Sequence, residues 1–232
     1  MKIIAIDSSS VAGSVALYED GEIKYDDISH DKRTHSETLL PMIAKLKEES
    51  GLDLSTIDAI AITGGPGSYT GLRIGSATAK GLGLALDKPI INVPTMEALA
   101  YNAKGSEYLV CPMMDARRER VFMGLYRFNN GELETVKDQC VLTIDELVSE
   151  IEEPVLFLGD GVDAYREKLD EKVKVEHFFA PEEDNSVKAS SFVGLAKVFF
   201  DAGKIESAND HKPDYLMLSQ AERELKEKQK ND

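Results

Sequence analysis

The sequence predicts an α/β protein with two related lobes, each built from a mixed β-sheet flanked by helices. Two observations support this prediction. Strand patterns alternate with helix patterns in both halves of the chain, and the two halves open alike. Asp7 is followed ten residues later by Leu-Tyr and then by Gly-Glu-Ile, and Asp115 is followed ten residues later by Leu-Tyr and then by Gly-Glu-Leu. Chance similarity between two hairpins is the alternative, but the matching element order favours a duplicated unit.

The first lobe is predicted to span residues 1–104. Asp20-Gly21 marks a hairpin, because this dipeptide accepts the positive φ angles of a tight turn. Thr34 and Glu37 have the spacing of a capping box that starts a helix, and Pro41 inside that helix could kink it. The predicted order is strands 2–7, 13–18 and 22–28, helix 34–50, strand 57–62, helix 71–86, strand 90–93 and helix 94–102.

The second, smaller lobe is predicted to span residues 105–186, with its boundary at Gly105-Ser106. Asn130-Gly131 predicts another hairpin, and Thr143 with Glu146 forms a second capping box. Residues 187–232 are expected to hold a returning helix, 188–202, and a charged tail that frays from Glu222. The predicted order in the lobe is strands 108–114 and 120–128, a third strand after the hairpin, helix 143–151, strand 155–158, helix 162–169 and an acidic loop over 176–187.

Composition narrows the classes of partner. The chain has 232 residues and a net charge of -15, from 42 acidic and 27 basic residues, which disfavours direct binding of the whole surface to nucleic acid or anionic lipid. Two cysteines, Cys111 and Cys140, an early charge at the N-terminus and the lack of an apolar run of roughly 18 residues predict a cytoplasmic protein with reduced thiols and no membrane contact.

Residues 63–76 carry the most specific pattern in the chain. They join a buried-looking strand to a helix in which small residues recur every four positions at Gly71, Gly75, Ala79 and Gly83, and a second small row, Ala77, Gly81 and Ala85, lies beside the first. Glycine costs roughly 1 kcal/mol relative to alanine inside a helix, so this pattern favours close approach of another backbone, with a neighbouring helix as the expected partner. Ligand binding at the helix N-terminus is the alternative. Neither the Walker pattern nor the dinucleotide glycine pattern is present.

The two lobes, each opening with an Asp at the end of its first strand, resemble the fold of actin, sugar kinases and heat-shock chaperone ATPases. Within that group, Thr-Gly-Gly-Pro-Gly-Ser-Tyr-Thr-Gly-Leu-Arg-Ile-Gly from Thr63 onward resembles the bacterial TsaB family, also called YeaZ. The resemblance covers nearly the whole chain, from residue 1 to about residue 222. The supporting motifs are Ile-Asp-Ser-Ser at 6–9, His-Ser-Glu at 35–37, Met-Asp-Ala-Arg-Arg at 114–118, Gly-Asp-Gly at 159–161 and Gln-Ala-Glu at 220–222.

The resemblance implies a role in making N6-threonylcarbamoyladenosine at position 37 of tRNAs that read ANN codons. It also implies that this chain is a non-catalytic subunit that binds and activates the catalytic subunit TsaD, with the ATPase TsaE joining the complex. A homodimer is expected when the chain is alone, and tRNA is expected to bind through the complex. The family has Tyr-Leu-Arg near its C-terminus, whereas this chain has Tyr215-Leu216-Met217, which puts any role of that arginine in doubt.

The sequence lacks the residue patterns of a metal-dependent or nucleophilic active site. TsaD binds metal through two histidines separated by three residues, but His35 is followed at that spacing by Leu39, so no metal site is expected. Ser8, Ser9, Ser10 and Ser68 lack the Gly-x-Ser-x-Gly context of a hydrolase nucleophile. No catalytic residue is therefore expected. A phosphotransferase and a metallopeptidase remain alternative hypotheses.

Two segments stand where related ATPases hold phosphate. Asp7, Ser8, Ser9 and Asp115 are predicted to be vestigial phosphate-loop residues or nucleotide contacts, although Asp7 and Asp115 could instead accept hydrogen bonds within their turns. Long arginine side chains follow Asp115, which argues against ATP hydrolysis by this chain. No cofactor is expected on the chain alone, and ATP or ADP only in the complex.

The helices over 34–50 and 71–86 are predicted to form the partner surface, pairing with TsaD, or with a second copy, as a four-helix bundle. The alternative is that both helices only cover their own sheet. Arg117, Arg118 and Arg120 are predicted contacts for tRNA or a partner. The predicted partner-surface residues are His35, Leu39, Leu40, Ile43, Gly71, Leu72, Ile74, Gly75, Thr78, Ala79 and Leu82.

Overall fold

Two five-stranded sheets, one in each half of the chain, frame the structure. The computed structural model describes residues 1–31 and 33–217. Short 3₁₀ turns occur at Leu54–Thr56, Tyr101–Ala103 and Glu182–Asp184. The strands and α-helices are β1 (Lys2–Asp7), β2 (Gly13–Glu19), β3 (Glu22–Ser29), α1 (His35–Ser50), β4 (Ala59–Gly65), α2 (Tyr69–Leu86), β5 (Ile90–Pro94), α3 (Thr95–Ala100), β6 (Leu109–Arg117), β7 (Arg120–Asn129), β8 (Glu132–Thr143), α4 (Ile144–Ser149), β9 (Val155–Leu158), α5 (Asp160–Lys172), β10 (His177–Phe179) and α6 (Ala189–Asp201).

The two sheets have the same topology. The first sheet has the order β3-β2-β1-β4-β5, and the second has the order β8-β7-β6-β9-β10. In each sheet the first strand pairs antiparallel with the next strand in the chain and parallel with the strand that follows a helix. This agreement confirms the predicted duplication and the predicted α/β class. The predicted boundary at Gly105-Ser106 falls in the connection between the second 3₁₀ turn and β6.

The core is continuous between the lobes. One buried cluster joins Ile3 of the first sheet to Val110 and Tyr126 of the second, and Phe192 of α6 belongs to the same cluster. Helix α6 packs on β1, β2 and β5, while α3 contacts α6 and the second sheet. Burial of apolar side chains, worth roughly 25 cal/mol per Å², therefore stabilises the contact between the two lobes as well as the packing within each lobe.

Local sequence signals explain how the helices start and end. The Thr34 amide donates to the Glu37 carboxylate (3.0 Å) at the start of α1, and the same pairing joins Thr143 and Glu146 (2.8 Å) at the start of α4, so both predicted capping boxes are confirmed. Helix α1 continues through Pro41 and ends at Gly51, which has a left-handed φ of 67°. Helix α2 starts at Tyr69, two residues before its predicted start, because Ser68 caps it and accepts a hydrogen bond from Gly71 N (3.3 Å).

Three predictions about elements need correction or lie outside the described residues. The acidic loop predicted over 176–187 contains strand β10, a three-residue strand of half-buried residues that pairs in parallel with β9. Strand β4 covers Ala59–Gly65 instead of 57–62, because Ile57 closes a 3₁₀ turn before the strand begins. The tail predicted to fray from Glu222 lies outside the described residues.

The segment after α6 returns to the first sheet. Glu206 and Ile90 exchange two backbone hydrogen bonds (2.9 Å each) at the outer edge of β5. Lys80 of α2 then donates to the carbonyl groups of Asn209 and His211 (3.0 Å each), which fixes the segment along that helix. Within residues 1–31 and 33–217, no helix is both long enough and apolar enough to cross a bilayer.

Candidate functional site

The glycines of α2 meet the turn that follows β1. A Cβ atom on Gly71 would lie 2.0 Å from the Ser8 carbonyl oxygen, and one on Gly75 would lie 2.2 Å from Ser8 Oγ. Ser8 Oγ also donates a hydrogen bond to the Gly71 carbonyl (2.9 Å). Close approach is therefore confirmed as the reason for these glycines. The expected neighbour is wrong, because it is the loop after β1 rather than another helix.

Asp7, at the end of β1, faces inward. Its Oδ1 accepts hydrogen bonds from Thr63 Oγ1, Ser9 Oγ (2.7 Å) and Ser9 N (3.2 Å), whereas Oδ2 has no hydrogen-bond partner among the residues that the structure describes. Burial raises the pKa of this carboxyl group, although the hydrogen bonds from Thr63 and Ser9 act in the opposite direction. The buried carboxylate thus holds its own turn together.

The other predicted phosphate-loop residues are also engaged inside the protein. Ser8 and Ser9 are buried, and the Ser9 carbonyl accepts a hydrogen bond from Ser68 N (2.7 Å). In this conformation Asp7, Ser8 and Ser9 make hydrogen bonds within the protein, while Ser9 also lines the cleft between the lobes, so a direct nucleotide contact by these residues stays a prediction. Nucleotide binding in a larger complex stays a prediction.

Asp115 ends the corresponding strand of the second lobe and is partly exposed. Its carboxylate accepts hydrogen bonds from Arg117 N (2.8 Å), Arg117 Nη1 (3.1 Å) and Tyr165 OH (3.0 Å). The Asp115 amide donates to Asp160 Oδ1 (3.0 Å), and burial raises the pKa of Asp160. Asp115 therefore satisfies donors of its own turn, the alternative that the sequence left open.

A cleft of about 640 Å³ lies between the lobes. Its lining combines the β1–β2 turn, the start of α2, the end of β6 and the C-terminal segment 214–217. His35 Nε2 donates to the Ser10 carbonyl (2.8 Å) at one wall, and Tyr215 packs on Tyr69 with ring centroids 4.9 Å apart at another. Met217, which stands in place of the arginine of the family pattern, also lines the cleft.

One side chain joins both lobes to the C-terminal segment beside this cleft. The Gln139 amide of β8 donates to the Gly65 carbonyl (3.1 Å) and to Asp214 Oδ2 (3.4 Å), and its oxygen accepts from Met96 N (3.4 Å). Asp214 N in turn donates to the Gly64 carbonyl (2.6 Å). The cleft is thus bordered by internal hydrogen bonds on this side. Among the described residues, no group of three or more His, Cys, Asp or Glu side chains could hold a metal ion, and the absence of a metal site stays a prediction.

The structure divides the predicted partner surface into buried and accessible residues. The buried residues pack against the first sheet and the Ser8 turn in this conformation, so they expose little surface to a partner, and their part in the interface stays a prediction. The accessible ones remain predicted contacts. The buried members are Leu39, Ile43, Gly71, Leu72, Gly75 and Ala79, and the accessible members are His35, Leu40, Ile74, Thr78 and Leu82.

The outward face of α2 is formed by its second row of small residues, Ala77, Gly81 and Ala85, all exposed. Nothing lies within 4 Å of the position that a Cβ atom on Gly81 would take, so packing inside the monomer does not explain this glycine. Leu84 on the same helix and Leu40 on α1 are 54% and 57% exposed. We call the exposed residues Leu40, Ala77, Gly81, Leu84 and Ala85 the outer α1–α2 face. The sequence showed both small rows but not which of them faces outward.

The predicted arginine contacts lie at the tip of the β6–β7 hairpin. Arg117 and Arg118 are exposed, and Arg120 is half-buried. Arg117 also lines the cleft from the second lobe, and Arg33 lines it from the first lobe.

These features define the class of protein: two duplicated α/β lobes around a cleft, the actin-like ATPase fold. An activator of 2-hydroxyisocaproyl-CoA dehydratase from Clostridium difficile, solved with bound ADPNP, shares this fold with a TM-score of 0.51 and 11% identity over 87% of this chain and 98% of that one. YeaZ from Pseudomonas aeruginosa is much more similar, with a TM-score of 0.82 and 29% identity over 93% of this chain and 99% of that one.

Sequence comparisons identify the family. The family model for TsaD, tRNA N6-adenosine threonylcarbamoyltransferase, matches residues 29–225. The tRNA threonylcarbamoyladenosine biosynthesis protein TsaB of Bacillus subtilis is 34% identical over 99% of this chain and 100% of that protein, and TsaB of Escherichia coli is 34% identical over 71% and 74%. The chain therefore belongs to the TsaB family of tRNA threonylcarbamoyladenosine biosynthesis proteins, as its glycine-rich motif predicted.

Proposed function

We propose that this chain is the non-catalytic subunit of the bacterial machinery that makes N6-threonylcarbamoyladenosine at position 37 of ANN-decoding tRNAs. In this proposal the chain binds and activates TsaD, and TsaE joins the complex in the cytoplasm. Membership of the TsaB family supports a role in tRNA threonylcarbamoyladenosine biosynthesis. The finer role rests on the outer α1–α2 face and on the internal engagement of the candidate acidic residues.

Gly81 is the observation that carries the proposal. Glycine lowers helix stability by about 1 kcal/mol relative to alanine, so a glycine on an exposed helix face is unfavourable unless something else requires it. The other glycines of the helix have internal neighbours: Gly71 and Gly75 meet Ser8, and Gly83 meets Ala208. A second helix that approaches closely at Gly81 would supply the missing requirement.

Apolar side chains beside this row supply the rest of a docking surface. Leu40 and Leu84 are more than half exposed, and together with the exposed Ala77 and Ala85 they add apolar surface to the outer α1–α2 face. A partner with a related pair of helices would bury these side chains in a four-helix arrangement. TsaD is the proposed partner, and a second copy of this chain would compete for the same face.

The non-catalytic role is supported by how the candidate acids are used. Asp7 and Asp115 accept hydrogen bonds within their own turns. Activation of TsaD would then come from differential binding, because a partner that binds one conformation of TsaD more tightly shifts it towards that state. Any ATP or ADP would bind only in the assembled complex.

Co-purification with TsaD tests the proposal through two matched variants. Ala77→Arg places a long charged side chain on the outer α1–α2 face, whereas Ala164→Arg makes the same change at an exposed position of α5. We expect Ala77→Arg to abolish the complex and Ala164→Arg to retain it, with both variants folded by circular dichroism. Equal binding by both variants would contradict the proposed interface, and no binding by the wild type would contradict the proposed partner.

The activity of the complex gives the second readout. Threonylcarbamoylation of a tRNA transcript by TsaD should rise when wild-type chain is added and should stay at the level of TsaD alone with Ala77→Arg. Modification by the purified chain without TsaD would overturn the non-catalytic assignment.

A further inference from the structure

The turn between β6 and β7 is built from residues that suit its backbone poorly. Arg117, Arg118 and Glu119 have φ angles of 67°, 55° and 58°, so three successive residues other than glycine occupy the left-handed region. This region brings Cβ close to the following carbonyl oxygen, which is why glycine, asparagine and aspartate are the usual choices.

Two other hairpins in the same chain show the usual solution. Asp20-Gly21 joins β2 to β3 with φ angles of 50° and 101°, and Asn130-Gly131 joins β7 to β8 with φ angles of 53° and 82°. The turn at Arg118-Glu119 has the same two-residue length but neither favoured residue. Strain of this kind persists where the side chains are needed for another purpose.

Charge adds a second unfavourable feature to the turn. Arg117 and Arg120 are paired across the two strands, and like charges in that arrangement repel. Arg117 is balanced by Asp115, and Glu119 bonds to Lys168. Arg118 and Arg120 form no ion pair within residues 1–31 and 33–217. A chain with a net charge of -15 therefore keeps two unbalanced guanidinium groups on one strained turn.

We propose that this turn binds the phosphate backbone of tRNA directly, through Arg117, Arg118 and Arg120. Guanidinium groups match phosphate oxygens in a bidentate geometry, which suits them to this contact. The inference rests on the proposed function, because it assumes that tRNA is brought to the complex. It differs from the expectation that tRNA binds through the complex rather than directly, because it gives this chain its own contact with the tRNA.

The composition of the turn favours RNA over a protein partner. Residues 117–119 are exposed and charged, and the nearest apolar residue, Ala116, is buried. Protein interfaces have an apolar core, whereas nucleic-acid interfaces are polar and strongly positive. The acidic groups beside the turn include Asp115, which bonds to Arg117 and Tyr165, Glu119, which bonds to Lys168, and Asp160, which accepts a hydrogen bond from the Asp115 amide. All three carboxylates therefore already have partners within the protein.

The experiment compares three forms of the full chain in complex with TsaD. Arg118→Asn with Glu119→Gly gives the turn the favoured Asn-Gly pair and leaves the net charge unchanged. Glu119→Gly alone relaxes the turn but keeps every arginine, and Lys174→Ala removes an exposed cation elsewhere on the same lobe. Binding of a tRNA transcript is measured at low and at physiological salt by fluorescence anisotropy.

We expect the Asn-Gly variant to weaken tRNA binding by about threefold to tenfold at low salt and to lower the salt dependence by about one unit of slope, because one phosphate contact is lost. Glu119→Gly and Lys174→Ala should bind tRNA at least as tightly as the wild type. Unchanged tRNA affinity in the Asn-Gly variant would overturn the proposal.

Complex formation is measured first by gel filtration, which separates this inference from the proposed function. Loss of TsaD binding by the Asn-Gly variant, with tRNA affinity intact, would identify the turn as a protein contact and overturn the RNA assignment. If wild-type chain forms no complex, the proposed function fails. The same variants are then compared for tRNA binding by the chain alone, and equal affinities overturn the inference there as well.

Discussion

The two lobes share one topology but use the turn after their first strand in opposite ways. In the first lobe, Asp7 is fully buried and the glycines of α2 press against Ser8. In the second lobe, Asp115 is partly exposed and the next residues form a strained, arginine-rich hairpin. The comparison shows that a duplicated frame can keep its strand order while one copy closes a site and the other opens it to solvent.

The helix that follows the fourth strand of each lobe explains part of this difference. In the first lobe α2 covers the turn itself, since Gly71 and Gly75 meet Ser8. In the second lobe the start of α5 meets β6 itself, two residues before Asp115, because Cβ atoms on Gly159 and Gly161 would lie 2.2 Å and 3.0 Å from the Met113 carbonyl oxygen. Helix α5 reaches the second turn through the side chains of Tyr165 and Lys168, which bond to Asp115 and Glu119, while Arg117, Arg118 and Glu119 stay exposed.

Glycine substitutions on the two faces of α2 should give the largest effects, of opposite sign. Gly71→Ala should lower the free energy of unfolding by about 1–3 kcal/mol, because the methyl group would overlap the Ser8 carbonyl. Gly81→Ala should raise the free energy of unfolding by about 1 kcal/mol, because alanine favours the helix over glycine and its Cβ atom would meet no neighbour. Denaturant unfolding of both variants measures this difference, and destabilisation by Gly81→Ala would refute the assignment of the outward face.

Exchanging the turn chemistry of the two lobes should give the next largest effect. Glu119→Gly should stabilise the chain by roughly 1–2 kcal/mol, because glycine tolerates the left-handed φ of 58°. Gly21→Glu, the reverse change in the first lobe, should destabilise the chain by a similar amount, because Gly21 has a φ of 101°. Thermal unfolding of the two variants tests this prediction, and shifts of the same sign in both would contradict the strain in the β6–β7 turn.

A smaller effect concerns pH. Burial raises the pKa of Asp7 in the folded state, so the folded protein binds more protons than the unfolded chain above the unfolded pKa, and stability falls as pH rises through that window. Asp7→Asn should remove this decline in unfolding free energy. Asp160→Asn should also reduce the fall in unfolding free energy with rising pH, but by less than Asp7→Asn, because Asp160 is less buried. Urea unfolding across mildly acidic to neutral pH measures both, and a decline that persists in Asp7→Asn would show that another group causes it.

The smallest effect is expected for the variants used to map the partner surface. Ala77→Arg and Ala164→Arg are both changes at exposed helix positions, so each should alter the unfolding free energy by no more than about 0.5 kcal/mol. A larger loss in Ala77→Arg would mean that its side chain is packed within the monomer, and its effect on TsaD binding could then not be assigned to the interface.

Much of the fold could be predicted from short-range patterns. Two capping boxes, two hairpin dipeptides and the repeated opening of the lobes are local signals, and each was confirmed. Strand β10 was missed because three half-buried residues at the edge of a sheet carry almost no periodicity. The left-handed turn at Arg118-Glu119 was also missed, since neither residue is a turn signal.

The orientation of α2 shows why the site was harder to predict. Both rows of small residues have helical spacing, so periodicity alone does not show which row faces the interior. The row that faces inward is fixed by contacts with two residues distant in sequence: Ser8, which meets Gly71 and Gly75, and Ala208, which packs against Gly83. Long-range neighbours of this kind decide which glycines pack internally and which remain available to a partner.

The return of the chain to β5 has a consequence for solubility. A strand at the edge of a sheet presents unpaired backbone groups that can recruit strands from other molecules. The two hydrogen bonds between Glu206 and Ile90 occupy such groups on β5, and the segment then continues along α2. A chain cut before Glu206 would uncover this edge, so shortened forms of the protein should aggregate through strand addition even though both lobes retain their own cores.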